Sequence, residues 1–328
     1  MTKKTLKKIF VKISRLLGYE IIDQSNFISP TLEKKLDEDL STFNKKSIVL
    51  PLGEVKISRK VKSLLIVFRT NSSVEIWDQN KKRVFEEKKI VYVEKSLRSL
   101  IKSIELSKKV LPSLKTKLII LDDNSNSENL SKIKNILDQT SLTYELLNHD
   151  IKKYKDKIKD QNTKETYSNL STLLASFHIG KKNSEDLIFF VEDDYIHFEN
   201  MIVEVIKTYE RISSQLNKDI FICLSDYPYL YMNNEKTNVL IGDKQHWRTV
   251  KRTLCTFITS KDLLNKYWYN FEKNCLDRHD PFEKYLNEIY EKEICISPLN
   301  SLSIHMTNIN SSYGLSPFID YKKIWDQN

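Results

Sequence analysis

The chain has 328 residues and a formal net charge of +9, with 53 lysines and arginines against 44 aspartates and glutamates. Hydrophobic residues make up 40% and charged residues 30%, which excludes a disordered protein and is typical of a folded one. The length suits one large domain with extensions. Because the lysines are scattered, without an arginine-rich stripe, aromatic and basic interleaving or zinc-finger spacing, we expect no nucleic-acid partner.

Cysteine usage and hydropathy predict the compartment. The cysteines stand twenty or more residues apart and form no CxxC pair, which predicts buried thiols in a reducing environment. They are Cys223, Cys255, Cys275 and Cys295. The chain shows no run of eighteen apolar residues and no apolar stretch followed by a small-residue cleavage site. We therefore expect a cytoplasmic protein that is neither secreted by that route nor membrane-spanning.

The first segment predicts a short basic amphipathic helix. Apolar residues recur at helical spacing with lysines and an arginine between them, and Gly18 ends the pattern. The apolar positions are Leu6, Ile9, Phe10, Ile13, Leu16 and Leu17. Such a helix favours peripheral contact of residues 3–18 with an anionic membrane surface, or packing of its apolar stripe on the main domain or on a second subunit.

The hydrophobic pattern of the sequence changes near residue 61. Residues 24–60 are polar, with proline, glycine and one short helical pattern over 31–40, and predict a linker or irregular flank. Beyond them, short apolar runs alternate with helical stretches, as in a mainly parallel sheet covered by helices. We therefore predict an N-terminal helix and linker (1–60), an α/β domain (61–310, divided at 212) and a C-terminal tail (311–328).

The predicted elements follow in chain order. Apolar runs mark strands at 63–71, 116–127, 142–148, 186–198 and 219–228, and helical patterns cover 95–106, 128–137, 166–179 and 199–212. No internal repeat is present.

Two of the predicted strands end in acidic residues: Asp122 and Asp123 end one, and Glu192, Asp193 and Asp194 end another. Because carboxyl ends of parallel strands meet at one edge of a sheet, we expect the two clusters to lie together. Adjacent carboxylates resist burial unless a cation compensates them, and Mg²⁺ and Mn²⁺ prefer such oxygens together with phosphates. The alternative is that Asp193 or Asp194 only caps the following helix.

Two common nucleotide-binding loops are absent. The first strand is followed by "RTNSSVEIW", which has no glycine, so the dinucleotide-binding fingerprint is excluded. The Gly-Lys pair in "HIGKKNS" lacks the rest of a GxxxxGK[ST] loop.

The segments "LLIVFRTN", "LIILDDNSNS" and "LIFFVEDDYIHF" resemble, in this order, the nucleotide-sugar half of GT-A fold glycosyltransferases, most closely the family 2 group. The resemblance covers about residues 63–212. It implies the α/β GT-A fold, with a mainly parallel central sheet flanked by helices, in which residues 213–310 form the acceptor half. It also implies a nucleotide-sugar donor and a divalent metal, Mn²⁺ or Mg²⁺.

The resemblance also implies roles for the acidic residues. In that family a DD-x-S element receives the nucleoside and a DxD-type element receives the metal and the diphosphate. Asp122 or Asp123 would then meet the base and ribose, Glu192 and Asp193 the ribose or metal-bound water, and Asp194 the metal. The departures are a first-strand turn in which only Asn71 fits, as a nucleoside contact, and "SNLSTLLASFHIGKK" in place of the basic Asn-x-Gly element.

The second half should supply the acceptor site and a base. In "LDRHDPFEKYLNEIY", Asp280 precedes Pro281 at a predicted helix start; the resemblance implies a general base there, and the alternative is a helix cap. His305 in "SLSIHMTN" resembles a late metal-ligating histidine, or is a satisfied buried one. Arg248 in "HWRTVKRT" lies in a predicted mobile segment facing the leaving diphosphate, or in a solvated loop or edge strand.

Aromatic residues of this half predict either stacking platforms for an acceptor sugar or core packing. They are Tyr227, Tyr229, Tyr231, Trp268 and Tyr269.

Together these features predict a metal-dependent glycosyltransferase of the hexosyl type. It would move a sugar from a nucleotide diphosphate donor, with UDP-sugars favoured, to a glycan, lipid-linked or other hydroxyl acceptor. The resemblance implies inversion at the transferred sugar. The setting would be cell-surface polysaccharide or glycolipid synthesis, in the cytoplasm or at the inner membrane face. Two alternatives stay open: a sugar nucleotidyltransferase, although its glycine-rich basic loop is missing, and a catalytically inactive binding protein of the same fold.

Overall fold

The computed structural model describes residues 3–19, 21, 41–49, 53–73, 85–232, 236–307, 311–315 and 318–328. The predicted helix over 31–40 lies outside them. The helices are α1 (Lys3–Leu16), α2 (Lys89–Val110), α3 (Ser127–Asp138), α4 (Lys164–Asn183), α5 (Met201–Leu216), α6 (Lys261–Lys266), α7 (Trp268–Asn274), α8 (Lys284–Tyr290) and α9 (Tyr321–Asp326). The strands are β1 (Lys46–Val49), β2 (Gly53–Lys56), β3 (Ser63–Thr70), β4 (Lys115–Asp122), β5 (Tyr144–Asn148), β6 (Leu187–Glu192), β7 (Tyr195–His197), β8 (Phe221–Cys223), β9 (Val239–Ile241), β10 (His246–Val250), β11 (Phe257–Ser260), β12 (Cys295–Pro298) and β13 (Ser303–His305).

A mixed, mainly parallel sheet forms the centre of the fold. Within the described residues nine strands join it, in the order β5-β4-β3-β6-β11-β8-β12-β10-β9. Strands β5, β4, β3 and β6 pair in parallel, and β12 is parallel to β8, whereas β11 and β10 run against both of their neighbours. The predicted α/β class with a mainly parallel central sheet is confirmed, and it agrees with the fold that the GT-A resemblance implies.

Strand β3 lies in the middle of the parallel half and is buried along its whole length. Alternate side chains of a strand point to opposite faces, so Leu64, Ile66 and Phe68 pack with α2, α3 and α5. Leu65 and Val67 pack on the other face with α4, α6, α7 and α8. Burial on both faces is why this strand reads as an unbroken apolar run rather than an alternating one.

Element boundaries differ from the predictions where tertiary contacts decide them. The predicted strand 186–198 breaks after Glu192, and β7 pairs with β13 instead of joining the central sheet. Helix α2 begins at Lys89, six residues before the predicted start, because buried Ile90 and Val93 already follow the apolar stripe. The predicted strand 219–228 shrinks to the three residues of β8.

The two flanking segments contain structure of their own. The predicted linker carries the antiparallel β1–β2 hairpin. In the predicted tail, Trp325 of α9 stacks on Phe85, with 4.2 Å between ring centroids, and contacts Tyr92 of α2 at 4.6 Å. The C-terminal helix is therefore packed on the α/β domain.

Helix α1 has the predicted amphipathic form, and its apolar face is exposed. The six apolar side chains of the stripe are between 43% and 81% exposed. Packing of this stripe on the main domain is therefore not seen. Among the described residues, no helix combines the length and the apolar character needed to cross a bilayer.

Candidate active site

The two acidic strand ends meet at one edge of the sheet. Strand β3 pairs with β4 and β6 in a register that places Thr70 beside Asp122 and Arg69 beside Glu192. The next residue, Asn71, joins the two clusters: its backbone N–H donates to Asp193 Oδ2 at 3.1 Å, and its side-chain Nδ2 donates to Asp123 Oδ2 at 3.1 Å. The expected convergence of the acidic residues is therefore observed.

Asp193 has a full set of donors from the protein. Besides the N–H of Asn71, its carboxylate accepts from Thr70 Oγ1 at 2.9 Å and from Lys89 Nζ at 2.5 Å. Helix α5 begins at Met201 with Asn200 in the N-cap position, so neither Asp193 nor Asp194 caps it. Asp193 instead ties the end of β3 to the end of β6.

Asp194 lies beside His305, 111 positions further along the chain. The β7–β13 ladder places His305 opposite Tyr195, and His305 Nε2 is 3.1 Å from Asp194 Oδ2. The Tyr195 ring stacks on the imidazole at 4.6 Å with a 4° interplanar angle, and the Tyr195 hydroxyl is 2.8 Å from that of Tyr227. This buried stack fixes the plane of the histidine ring.

Asp194 and His305 each stabilise the charged form of the other. Burial alone would raise the pKa of Asp194, but the charges of His305 and Lys89 hold that pKa below its usual value. Burial lowers the pKa of His305, but the Asp194 carboxylate outweighs it and raises that pKa above the usual histidine range. The pair is therefore arranged as a carboxylate beside an imidazolium.

A divalent metal at this edge would have few protein ligands. The described part of the chain contains no group of three or more His, Cys, Asp or Glu side chains placed to hold an ion. Magnesium-type ions commonly take only one or two protein groups and fill their shell with water and substrate phosphates. Asp194 and His305, which are hydrogen-bonded to each other at 3.1 Å, would be the two protein groups of such a site.

Glu192 is paired with an arginine. Its Oε1 accepts from Arg69 at 2.8 Å, and its Oε2 accepts from Thr256 Oγ1 at 3.2 Å. Arg69 is itself held by the Asn169 side chain at 2.9 Å. Burial raises the pKa of Glu192, and the charge of Arg69 opposes that rise.

Asp122 and Asp123 have different surroundings. The Oδ2 atom of Asp122 accepts from the Ser125 N–H at 3.0 Å and so shapes the turn before α3, whereas its Oδ1 has no hydrogen-bond partner among the described residues. Burial raises the pKa of Asp122. Asp123 accepts from the side chains of Asn71, Asn124 and Ser168. Asp123 is therefore the member of the pair joined to the rest of the acidic edge.

The expectation that Asp280 caps a helix is wrong. Helix α8 begins at Lys284, Glu283 stands in the N-cap position, and Asp280 is exposed. The half-buried Glu283 lies 3.9 Å from Cys255 Sγ. Burial, followed by the charge of Glu192, raises the pKa of Glu283 to about 8, and the charge of His305 works against this rise. The pKa of Glu283 is thus affected by charges of the acidic edge.

Arg248 lies in strand β10, between β9 and β12 in the sheet. The expectation of a mobile segment is therefore wrong for this residue, because the β10 ladder pairs on both sides. Its guanidinium pairs with the buried Asp226 and lies 4.5 Å from the centroid of the Tyr231 ring. Its charge is thus already compensated by a carboxylate.

The aromatic residues of the second half differ in burial. Tyr227 and Tyr229 are buried in the core, Trp268 is half-buried, and Tyr231 and Tyr269 are exposed. The four cysteines are free and buried, as predicted.

Sequence reasoning gave no role to several residues of the site. Lys89 and Arg69 carry no motif, because single lysines and arginines near the end of a helix or strand are common. In the sequence, Glu283 is only an acidic residue three positions after Asp280. The apolar positions Leu286 and Ile289 were the one signal that could have placed the helix start later.

No protein-family model and no curated protein sequence matches the chain. Among solved structures it is similar to S. aureus TarS 1–349, at 13% identity and a TM-score of 0.34, over 62% of this chain and 48% of that one. It is also similar to a UDP-glucose pyrophosphorylase complexed with UDP-glucose, at 8% identity and a TM-score of 0.40, over 81% of this chain and 98% of that one. A third similar structure is the galactosyltransferase LgtC in complex with donor and acceptor sugar analogs, at 9% identity and a TM-score of 0.37, over 70% of this chain and 72% of that one. The chain spans about half the length of the TarS structure. At this level of similarity, function has to be inferred from the geometry of the site itself.

Replacing Glu283 by Gln should change how stability depends on pH. A carboxyl with a folded pKa of about 8 and an ordinary unfolded pKa binds more protons in the folded state between the two values. The free energy of unfolding of the native protein should therefore fall as pH rises from about 4.5 to 8, whereas Gln cannot ionise. We expect Glu283→Gln to gain on the order of a few kcal/mol over the native protein at pH 9 and little at pH 4.5, measured by urea unfolding. The exposed Glu288→Gln is the control, and parallel pH curves for Glu283→Gln and the native protein would contradict the burial of this carboxyl.

Proposed function

We propose that the protein is a metal-dependent glycosyltransferase that uses a nucleotide diphosphate sugar, with UDP-sugars favoured. The observation that carries the proposal is the Asp194–His305 pair, held at the same edge of the sheet as Asp123 and Asn71. One metal position and one polar nucleoside position are thus supported side by side, at the carboxyl ends of β3, β4 and β6, where open α/β sheets bind ligands.

Different residues of this edge would contact different parts of the donor. Asn71 and Asp123 would contact the base and ribose, with Asp122 holding the turn beneath them, and Glu192 would accept from a ribose hydroxyl. Asp194 and His305 would hold the metal, with His305 as the neutral imidazole, because an imidazolium has no free lone pair for an ion. The ion, when bound, supplies positive charge that stabilises the departing diphosphate.

Glu283 takes the role of general base that the resemblance implied for Asp280. A base must lose its own proton before it can accept one from the acceptor hydroxyl, and it works best with a pKa near the working pH. The raised pKa of Glu283, about 8, meets that condition, and the charges that act on it come from Glu192 and His305 at the acidic edge. Attack opposite the leaving diphosphate would invert the anomeric carbon.

Donor binding tests the proposal directly. A nucleotide sugar at a hundred times its dissociation constant should add about 2.7 kcal/mol to the stability of the folded state. We expect a thermal shift with UDP-sugars and Mn²⁺ together, and its loss in Asp194→Asn but not in the exposed control Asp156→Asn. If no nucleotide sugar stabilises the native protein in the presence of metal, the proposal is overturned.

The pH dependence of transfer tests the base. The rate at limiting acceptor should rise with pH and level off near 8, because only ionised Glu283 accepts a proton. Glu283→Gln should lose about 10²- to 10⁴-fold in rate together with this rise, whereas Asp280→Asn should keep both. If Asp280→Asn loses the rate and the rise with pH while Glu283→Gln keeps both, Asp280 is the general base. Radiolabelled sugar transfer at several pH values measures both variants.

We also propose that the acceptor is a glycan or lipid-linked hydroxyl compound and that α1 holds the protein at the inner membrane face. The exposed apolar stripe of α1 and the lysines between its positions have the composition of helices that lie in an anionic lipid interface. Cell-surface polysaccharide or glycolipid synthesis would use an enzyme at that place.

Removing residues 1–18 should abolish binding to vesicles containing phosphatidylglycerol, while binding to neutral vesicles should be weak for both forms. Apolar burial and lysine attraction to anionic lipid both disappear with the helix. Co-sedimentation measures the bound fraction, and Phe10→Glu serves as a point variant that leaves the length of the chain unchanged. Equal sedimentation of native and shortened protein would rule the anchor out and point to a second subunit as the partner of the stripe.

A further inference from the structure

A cation lies inside the acidic edge at a position that no sequence motif indicated. Lys89 is the first residue of α2, its side chain is 17% exposed, and its Nζ is 2.5 Å from Asp193 Oδ1. Its charge also acts on Asp194 and on His305. The ammonium thus contacts the residue next to Asp194 in the chain, and its charge acts on both proposed metal ligands.

Each of the three consecutive carboxylates has a cationic partner among the described residues. Glu192 pairs with Arg69 at 2.8 Å, Asp193 with Lys89 at 2.5 Å, and Asp194 with His305 at 3.1 Å. These three cations compensate the negative charge of the acidic edge, and this is why adjacent carboxylates can be buried here.

The three cations differ in the stiffness of their side chains. The guanidinium of Arg69 is tied to the Asn169 side chain as well as to Glu192, and the His305 ring is stacked on Tyr195. Lysine carries a compact charge on a flexible four-carbon stem and can change partner by rotating that stem.

We propose that Lys89 binds the diphosphate of the donor and that, before the donor arrives, it serves as the counter-ion of the acidic edge in place of the divalent metal. This deepens the proposed function and rests on it. A divalent ion held by Asp194 and His305 would repel the nearby ammonium, and partly buried charges are screened little. The diphosphate supplies the anionic oxygens to which Lys89 can turn.

Helix α2, which begins at Lys89, also favours binding of the diphosphate. Helix α2 is 22 residues long, and Lys88 in its N-cap position makes no side-chain capping hydrogen bond. The N-terminus of a helix carries partial positive charge and favours phosphate oxygens. Lys89 stands at this end, so a diphosphate there would meet the ammonium and the helix together.

The inference predicts two effects of opposite sign for Lys89→Met. Without nucleotide, Mn²⁺ alone should bind about three- to tenfold tighter, because the competing cation is gone. With saturating Mn²⁺, UDP should bind about tenfold weaker or more, because a charge-assisted hydrogen bond is lost. Lys89→Arg should stay near the native protein for UDP, and the neighbouring Lys88→Met, which removes the same charge at an exposed position, should change neither constant by more than about twofold.

Free Mn²⁺ measured by electron paramagnetic resonance and UDP titration calorimetry give the two constants. If Lys89→Met weakens both ligands or changes neither, the inference is overturned while the proposed function stands. If the native protein binds neither Mn²⁺ nor UDP, the proposed function fails and the inference with it. Should Lys89→Met be unfolded by circular dichroism, the double variant Lys89→Met, Asp193→Asn removes both charges, and UDP binding that is weaker in it than in Asp193→Asn alone supports the inference, whereas equal binding overturns it.

Discussion

The constraint on which this structure depends is the crowding of carboxylates at one edge of the sheet. Parallel pairing of β3 with β4 and β6 brings Asp123 and Asp193 within reach of the single side chain and backbone of Asn71. Charged groups taken from water need partners, and here they find them in other parts of the chain. The ion pairs to Arg69, Lys89 and His305 therefore hold the edge together, so the electrostatics of the site and the packing of the fold cannot be separated.

The second half of the chain completes this edge through long-range pairing. The antiparallel β7–β13 ladder places His305 at this edge, and Glu283 at the start of α8 lies 3.9 Å from the sulfur of Cys255, whose neighbour Thr256 donates to Glu192. Two tyrosines support the histidine: Tyr195 stacks on His305, and its hydroxyl contacts that of Tyr227 deeper in the core. Rigid aromatic support of this kind holds a ligating or catalytic group at the angle that chemistry needs.

Some features of the edge lower stability, and they lie where the chemistry is proposed. Asp122 keeps one buried oxygen without a hydrogen bond among the described residues, and Glu283 sits in surroundings that disfavour its charge. Strongly shifted carboxyl pKa values in a cleft are common at functional sites, because a working acid or base needs a pKa near the working pH. Arg248 and Asp226 show the contrasting case, a buried ion pair whose charges are compensated within strand contacts.

The sequence by itself determined the α/β class, the order of strands and helices in the parallel half, and the meeting of the two acidic strand ends. These follow from local periodicity and from the rule that parallel strands end at one edge. Only the tertiary structure decided that β7 leaves the sheet to pair with β13, that Arg248 is neutralised by Asp226, that the helix after Asp280 starts at Lys284, and that Lys89 enters the acidic edge. The physical reason is distance along the chain: hydrophobic spacing specifies an element from its own residues, whereas the partner of a charge is chosen among side chains brought together by folding.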